Sequence, residues 1–359
     1  DPRNGGGKLN DVTKEDLVKV VNIEGQERLL YKGFPINVVF LRASYCDEYG
    51  NCTVHREIGP LDVTAMAQAC KNSGGKVIVQ VEKIVQGGSL DPKLVAIPGI
   101  YVDSVVVGSE EENMQCLGMP YDGALTGEFR ISVDAIPPIP MDAKKIIARR
   151  AAMELPPDAI VNLGTGAPEK IANVAAEEGI SDKMTLTVEA GSIAGVPYGG
   201  TQFGAAANAM CIIPHNVQFD FYQGGGLDVA FLGLAETAPN GDLNVSKFGT
   251  RLAGAGGFID ITQNAKKVVY CGTFTAKGLK TECRDGKLII TQEGAKKKFV
   301  NAVEHITFSG DYANEVHQPV LYITERCVFE LRPEGVTLVE IAPGIDLQTQ
   351  VLDQMEFAP

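Results

Sequence analysis

Residues 36–54 read INVVFLRASYCDEYGNCTV and residues 227–245 read LDVAFLGLAETAPNGDLNV. Laid over one another without a gap, Val38, Phe40, Leu41, Gly50 and Val54 meet Val229, Phe231, Leu232, Gly241 and Val245. The same offset then brings KVIV (Lys76–Val79) onto KVVY (Lys267–Tyr270). A register kept over two separate apolar runs is the mark of a duplicated unit. Each copy opens on a short run of apolar strand formers and closes on a glycine turn, so two related α/β domains in tandem are expected.

Between the copies, ISVDAIPPIPMDAKK carries Pro137, Pro138 and Pro140, the composition of a linker. It divides the chain into residues 1–135, a linker at 136–141 and a second domain at 142–359. After it, Asp142 is placed to cap the helix AKKIIARRAAMEL, which must stop by Pro156, and Lys144, Lys145, Arg149 and Arg150 on that helix are expected in solvent. Strands are expected at Ala159–Leu163, Met184–Val188, Val229–Leu232 and Val268–Cys271, with a helix that begins near Pro168 and ends at Gly179. A hairpin is expected at the end of the chain, with arms Tyr322–Leu331 and Val336–Ile341. The fold class is therefore α/β, two similar open domains with mostly parallel sheets and an antiparallel tail. The second domain places many more residues before its copy of the repeat than the first does. The sequence thus leads us to expect that the beginning of the first domain lies on a companion chain or is lacking.

Composition narrows the partners. With 32 Lys and Arg against 45 Asp and Glu, the formal charge is −13, and no long basic run exists to hold nucleic acid or an anionic membrane. No apolar run reaches membrane-spanning length. The eight cysteines form no CxxC pair and several, Cys211 and Cys271 among them, sit in apolar runs; buried reduced thiols in a cytoplasmic protein are expected. The four histidines show no metal-ligand spacing, so no metal is expected.

Ligands of open parallel sheets gather at the carboxyl ends of the strands. Glu189 stands at such an end, after MTLTV and before the glycine-rich AGSIAGVPYGG, and is a candidate nucleophile or base. Gly164, Thr165 and Gly166 lie between a strand and a helix, where backbone N–H groups can hold a phosphate, although a plain tight turn reads the same way. Gly224, Gly225 and Gly226 precede one strand, and Gly256 and Gly257 lie in LAGAGGFID; glycine runs admit a ligand or merely a neighbouring backbone. The N–H of Gly257 is the candidate oxyanion donor. Ala194, Val196, Phe203 and Met210 read as core rather than as a substrate pocket.

VNLGTGAPEKIANVAAEEG, TLTVEAGSIAGVP, GGGLDVAFLGLAETAPNGDLNVSKFG and LAGAGGFIDITQNAKKVVYCGTFTAKGLK together resemble the second half of family I coenzyme A transferases, most nearly the propionate and acetate type, and residues 1 to about 135 resemble the later part of that family's first half. The resemblance implies a site at the junction of two similar domains, with the nucleophilic glutamate at Glu189 and an oxyanion-binding amide at Gly257 or its neighbours. It further implies that Gly164–Gly166, Gly224–Gly226 and Gly256 line the coenzyme and acyl pocket. A glutamine side chain that supplies the family's second oxyanion donor has no counterpart in this sequence. The implied reaction moves coenzyme A between a short-chain acyl-CoA and a carboxylate such as acetate, with coenzyme A as substrate, no tightly bound cofactor, and a homo-oligomeric, homotetrameric or dimeric, assembly. An acyl-CoA hydrolase of the same fold and a non-covalent nucleotide- or sugar-phosphate-binding domain stand as alternatives.

Overall fold

The computed structural model describes residues 2, 8, 10–132 and 138–359. Seven residues at the start of the expected first domain, its last three, and the first two linker positions, Ile136 and Pro137, lie outside the described residues. Three parallel strands form the first sheet: β1 (Val38–Arg42), β2 (Lys76–Val81) and β3 (Ser104–Val107), in that order. Helix α1 (Val63–Asn72) makes the crossover between β1 and β2 and buries Val63, Ala67 and Cys70 at helical spacing. It packs this stripe with Leu41, Val77 and Val79 into one core.

The second sheet has nine strands. In chain order they are β4 (Ala159–Leu163), β5 (Met184–Thr187), β6 (Ser192–Ile193), β7 (Cys211–Ile212), β8 (Val229–Gly233), β9 (Val268–Cys271), β10 (Val320–Ile323), β11 (Cys327–Arg332) and β12 (Gly335–Ile341). Across the sheet the order is β7-β6-β5-β4-β8-β9-β10-β11-β12. The five central strands, β5 to β10 in that spatial order, are parallel, and both edges are antiparallel. Helices α2 (Ala143–Ala152) and α3 (Lys170–Glu177) cover one face and α4 (His215–Gln223) and α5 (Phe258–Gln263) the other. Along β8 the pleat sends Val229 and Phe231 into the core under α2 and α3, and Ala230 and Leu232 into the opposite core. A strand buried on both faces has no polar alternation, which is why VAFLG reads as one apolar run.

The duplication is visible in the pairing. Phe40 lies opposite Ile78 and Phe231 opposite Val269, equivalent positions of the two copies. Cys46 pairs with Cys52 as Thr237 pairs with Leu243. Gly50 and Gly241 hold φ of 87° and 88°, and their N–H groups return to the carbonyls of Asp47 and Ala238. A left-handed turn residue is needed at the same point in each copy, and glycine supplies it without a Cβ penalty.

Several expectations are corrected. The first hairpin arm, Tyr322–Leu331, is two strands, β10 and β11, because Thr324 Oγ1 accepts the N–H groups of Arg326 (3.3 Å) and Cys327 (3.0 Å) and reverses the chain there. Arg326, with a fully buried side chain, donates to Glu325 (2.7 Å), Glu293 (2.8 Å) and the Gln350 carbonyl (2.8 Å). Arg326→Ala leaves the buried Glu325 carboxylate without its ion-pair partner, with only the Phe274 N–H still donating to it (2.9 Å), and is expected to lower unfolding free energy by about 3–5 kcal/mol, measured by urea denaturation. The basic residues of α2 do not all point to solvent. Lys145 is buried, bonded to the Ile139 carbonyl (2.8 Å) and paired with Glu177, while Arg150 bridges Glu154 and Glu340. Cys211 is exposed on an edge strand, as is Cys283, while the other six cysteines are buried, and all eight are free.

Candidate active site

Glu189 leaves the carboxyl end of β5 in a tight turn, closed by Val188 N–H to the Ser192 carbonyl (2.9 Å) and Gly191 N–H to the Val188 carbonyl (2.9 Å). The turn aims the side chain into a cavity of about 300 Å³ at the strand ends. Gly164 and Thr165 after β4, Leu232 and Gly233 at the end of β8, and Ala255–Phe258 entering α5 form its walls, with Val245 and Ile261 behind. Glu189 is the one charged residue in this lining. Burial pushes its carboxyl above the ordinary value of 4.5, and His215 nearby works in the opposite direction. An anion in this apolar pocket is weakly solvated, which favours its attack on an electrophilic carbonyl.

Gly257 lies against that carboxylate. It precedes α5 with φ −78° and ψ 0°, a conformation open to any residue. A Cβ added there would lie 2.6 Å from Glu189 Oε2 and 2.7 Å from Phe219 Cζ. Glycine is therefore set by contact and not by backbone conformation. Among the described residues the N–H groups of Gly256 and Gly257 have no hydrogen-bond partner. A charge developing on an oxygen in this cavity has backbone donors available without loss of any protein hydrogen bond.

The other sequence candidates separate. Gly164, Thr165, Gly256 and Gly257 come together with Glu189. Gly166 does not line the cavity: its N–H donates to Glu169 Oε1 (2.8 Å), so a carboxylate of the chain itself takes the place a phosphate would have. Gly224, Gly225 and Gly226 lie before β8, at the opposite end of the strand, where their N–H groups close the C-terminus of α4 on the carbonyls of Asp220, Tyr222 and Phe221. Ala194, Val196 and Met210 line a second cavity of about 320 Å³ with Leu186 and Arg130, and Phe203 does not.

Sequence reading missed what lies behind the glutamate. Tyr222 OH donates to Thr187 Oγ1 (2.9 Å) and accepts from Gln218 Nε2 (2.8 Å), while Thr187 Oγ1 donates to the Val161 carbonyl (2.9 Å). This chain ties α4 to β4 and β5 two residues before Glu189. Phe219 and His215 share α4, and the spacing of four residues along HNVQFDFYQ was the one available signal that they share a face.

Comparison with known proteins shows the family of the chain. A family model described as coenzyme A transferase matches residues 7–108. Caffeate CoA-transferase from Acetobacterium woodii is 49% identical over 366 residues, an alignment covering 100% of this chain and 70% of the relative. Acetate CoA-transferase YdiF from Escherichia coli (strain K12) is 46% identical over 359 residues, covering 100% of this chain and 67% of the relative. The crystal structure of an acyl-CoA transferase, YdiF from E. coli O157:H7, in a thioester complex with CoA superposes with a TM-score of 0.93 at 45% identity, covering 100% of this chain and 67% of that one. Each of these relatives carries its whole length on one polypeptide, so the expected companion chain has no counterpart among them. With a matching family model, such identity along its full length and the same fold, the chain belongs to the family I coenzyme A transferases, enzymes that transfer coenzyme A.

Proposed function

We propose that this protein moves coenzyme A reversibly between short-chain acyl-CoA thioesters, acetyl and propionyl among them, and a free carboxylate such as acetate, with Glu189 as the covalent carrier. The observation that carries the reading is the Glu189 carboxylate packed on Gly257 in a cavity with no other charge. A Glu189 oxygen attacks the thioester carbonyl, the C–S bond breaks and its electron pair leaves with the CoA thiolate, giving an acyl-glutamyl anhydride. The thiolate then attacks the glutamyl carbonyl, the donor carboxylate departs, and a glutamyl-CoA thioester remains. The incoming carboxylate runs both steps in reverse. Each tetrahedral intermediate places a charge on one oxygen, for which the Gly256 and Gly257 N–H groups are the donors.

Residues 1–135 and 142–359 are read as the two related domains, and a homo-oligomer in the cytoplasm is part of the same proposal. The pantetheine and nucleotide arms belong to the second cavity, whose wall Ala194–Pro197 continues directly from the Glu189 turn. Arg130 lines this cavity without a carboxylate partner among the described residues, and its guanidinium is the group assigned here to the phosphates. Arg130→Ala is expected to raise KM for acyl-CoA about tenfold with kcat nearly unchanged, measured by steady-state kinetics.

The covalent step has a direct test. Incubation with acetyl-CoA followed by borohydride reduces a glutamyl thioester to an alcohol, so the peptide containing Glu189 loses one oxygen and gains two hydrogens by mass spectrometry. An unaltered glutamate refutes the carrier role.

A further inference from the structure

We propose that His215 is a positioning residue for Glu189, acting through a hydrogen bond to Asp62 from the first-sheet region and through its packing on Phe219. The proposal rests on the reading of Glu189 as nucleophile. Asp62 occupies the N-cap position of α1 but makes no capping bond to its own helix. Its Oδ2 instead pairs with His215 Nδ1 at 2.8 Å, across 153 residues of sequence. The backbone repeats the tie, since His215 N–H donates to the Leu61 carbonyl at 3.2 Å.

Both ends of this tie reach the nucleophile. On one side, Gly59 lies against the Glu189 turn so closely that a Cβ there would be 3.0 Å from the Ala190 carbonyl oxygen. On the other, the His215 ring meets Phe219 edge-on with centroids 4.6 Å apart, and Phe219 Cζ and Glu189 Oε2 crowd the same side of Gly257. The Glu189 carboxylate itself has no hydrogen-bond partner among the described residues. Packing alone sets its direction, so the groups that fix Phe219 and the turn fix the attacking oxygen. The electrostatic effect of His215 on Glu189 also opposes that of burial. A misplacement of the order of an ångström at an attacking atom costs turnover far more than it costs substrate binding.

The test compares His215→Phe, His215→Asn and Asp62→Ala in the full chain with two readouts. His215→Phe keeps a ring and loses the donor; in His215→Asn the amide Nδ2 takes roughly the place of Nδ1 and can still donate to Asp62. Hydrogen exchange at the Val188 and Gly191 amides is expected to quicken about tenfold in His215→Phe and Asp62→Ala, with kcat about tenfold lower and KM for acyl-CoA within about twofold. His215→Asn keeps the donor but not the ring on Phe219, so it is expected to restore exchange to within about threefold of the unsubstituted protein while kcat recovers only in part. Unchanged exchange in His215→Phe, failure of asparagine to restore exchange, or faster exchange spread equally over the strands of the second sheet overturns the proposal. Exchange is measured without substrate, so it judges the tie even if Glu189 proves not to carry the acyl group, an error that the borohydride experiment exposes separately.

Discussion

Glu189→Gln is expected to reduce coenzyme A transfer by roughly three orders of magnitude or more, measured as acyl-CoA formed from acetate and a second thioester. Glutamine keeps the volume and the turn but has no anionic oxygen to attack a thioester, and the other residues recorded in the cavity lining are uncharged and cannot replace it. The fold is expected to gain stability at the same time. Burial raises the folded-state pKa of Glu189 above its ordinary 4.5, so the native protein holds that proton more tightly than the unfolded chain does. For an acid shifted upward, the associated stability is present at low pH and is lost as pH rises through the unfolded value towards the folded one. The glutamine variant does not titrate there and escapes this loss. Its advantage over the unsubstituted protein in urea denaturation should be small at about pH 4 and larger at about pH 7. Equal stabilities at both values would count against a buried, ionisable Glu189. A residue retained at a cost to stability is the pattern expected of a reacting group.

Gly257→Ala carries the second largest effect. Its φ of −78° suits alanine, so no backbone strain enters. The new methyl group must instead displace Glu189 Oε2, 2.6 Å away, or the Phe219 ring, 2.7 Å away. Either movement shifts the attacking oxygen relative to the backbone donors of the same loop. We expect kcat to fall about a hundredfold, with the melting temperature changed by only a few degrees. The kinetic result separates this from a general loss of packing, because a one-methyl intrusion removes no side chain from either core of the second sheet. Turnover within twofold of the unsubstituted protein would show that the carboxylate does not act from the position it occupies here.

The strands of both copies were legible because their information is local. A run such as VAFLG can be buried on two faces only as an inner strand of a covered sheet, and a glycine at position 50 or 241 marks the left-handed turn that ends each repeat. Glu189 was legible for the same reason, as the residue at the end of an apolar strand before a glycine-rich turn. The end of the chain was harder. YITERCVFEL has the length and composition of one long strand, and the Thr324 side chain that breaks it in two acts through hydrogen bonds that no periodicity reveals.

The glycine runs show where local reading stops. Gly224–Gly226 and Gly256–Gly257 look alike in sequence, yet the first closes a helix at the far end of β8 and the second lies against Glu189. Asp62 and His215, and Lys145 and Glu177, are likewise invisible as pairs until the chain is folded. The sequence by itself determined the duplicated α/β units, the order of their main strands and the carboxylate at a strand end, because backbone periodicity and turn chemistry depend on neighbours a few residues away. Only the tertiary structure decided which glycines face that carboxylate, which cavity it lines and which histidine packs on its neighbour Phe219, because each of those depends on contacts between atoms far apart along the chain.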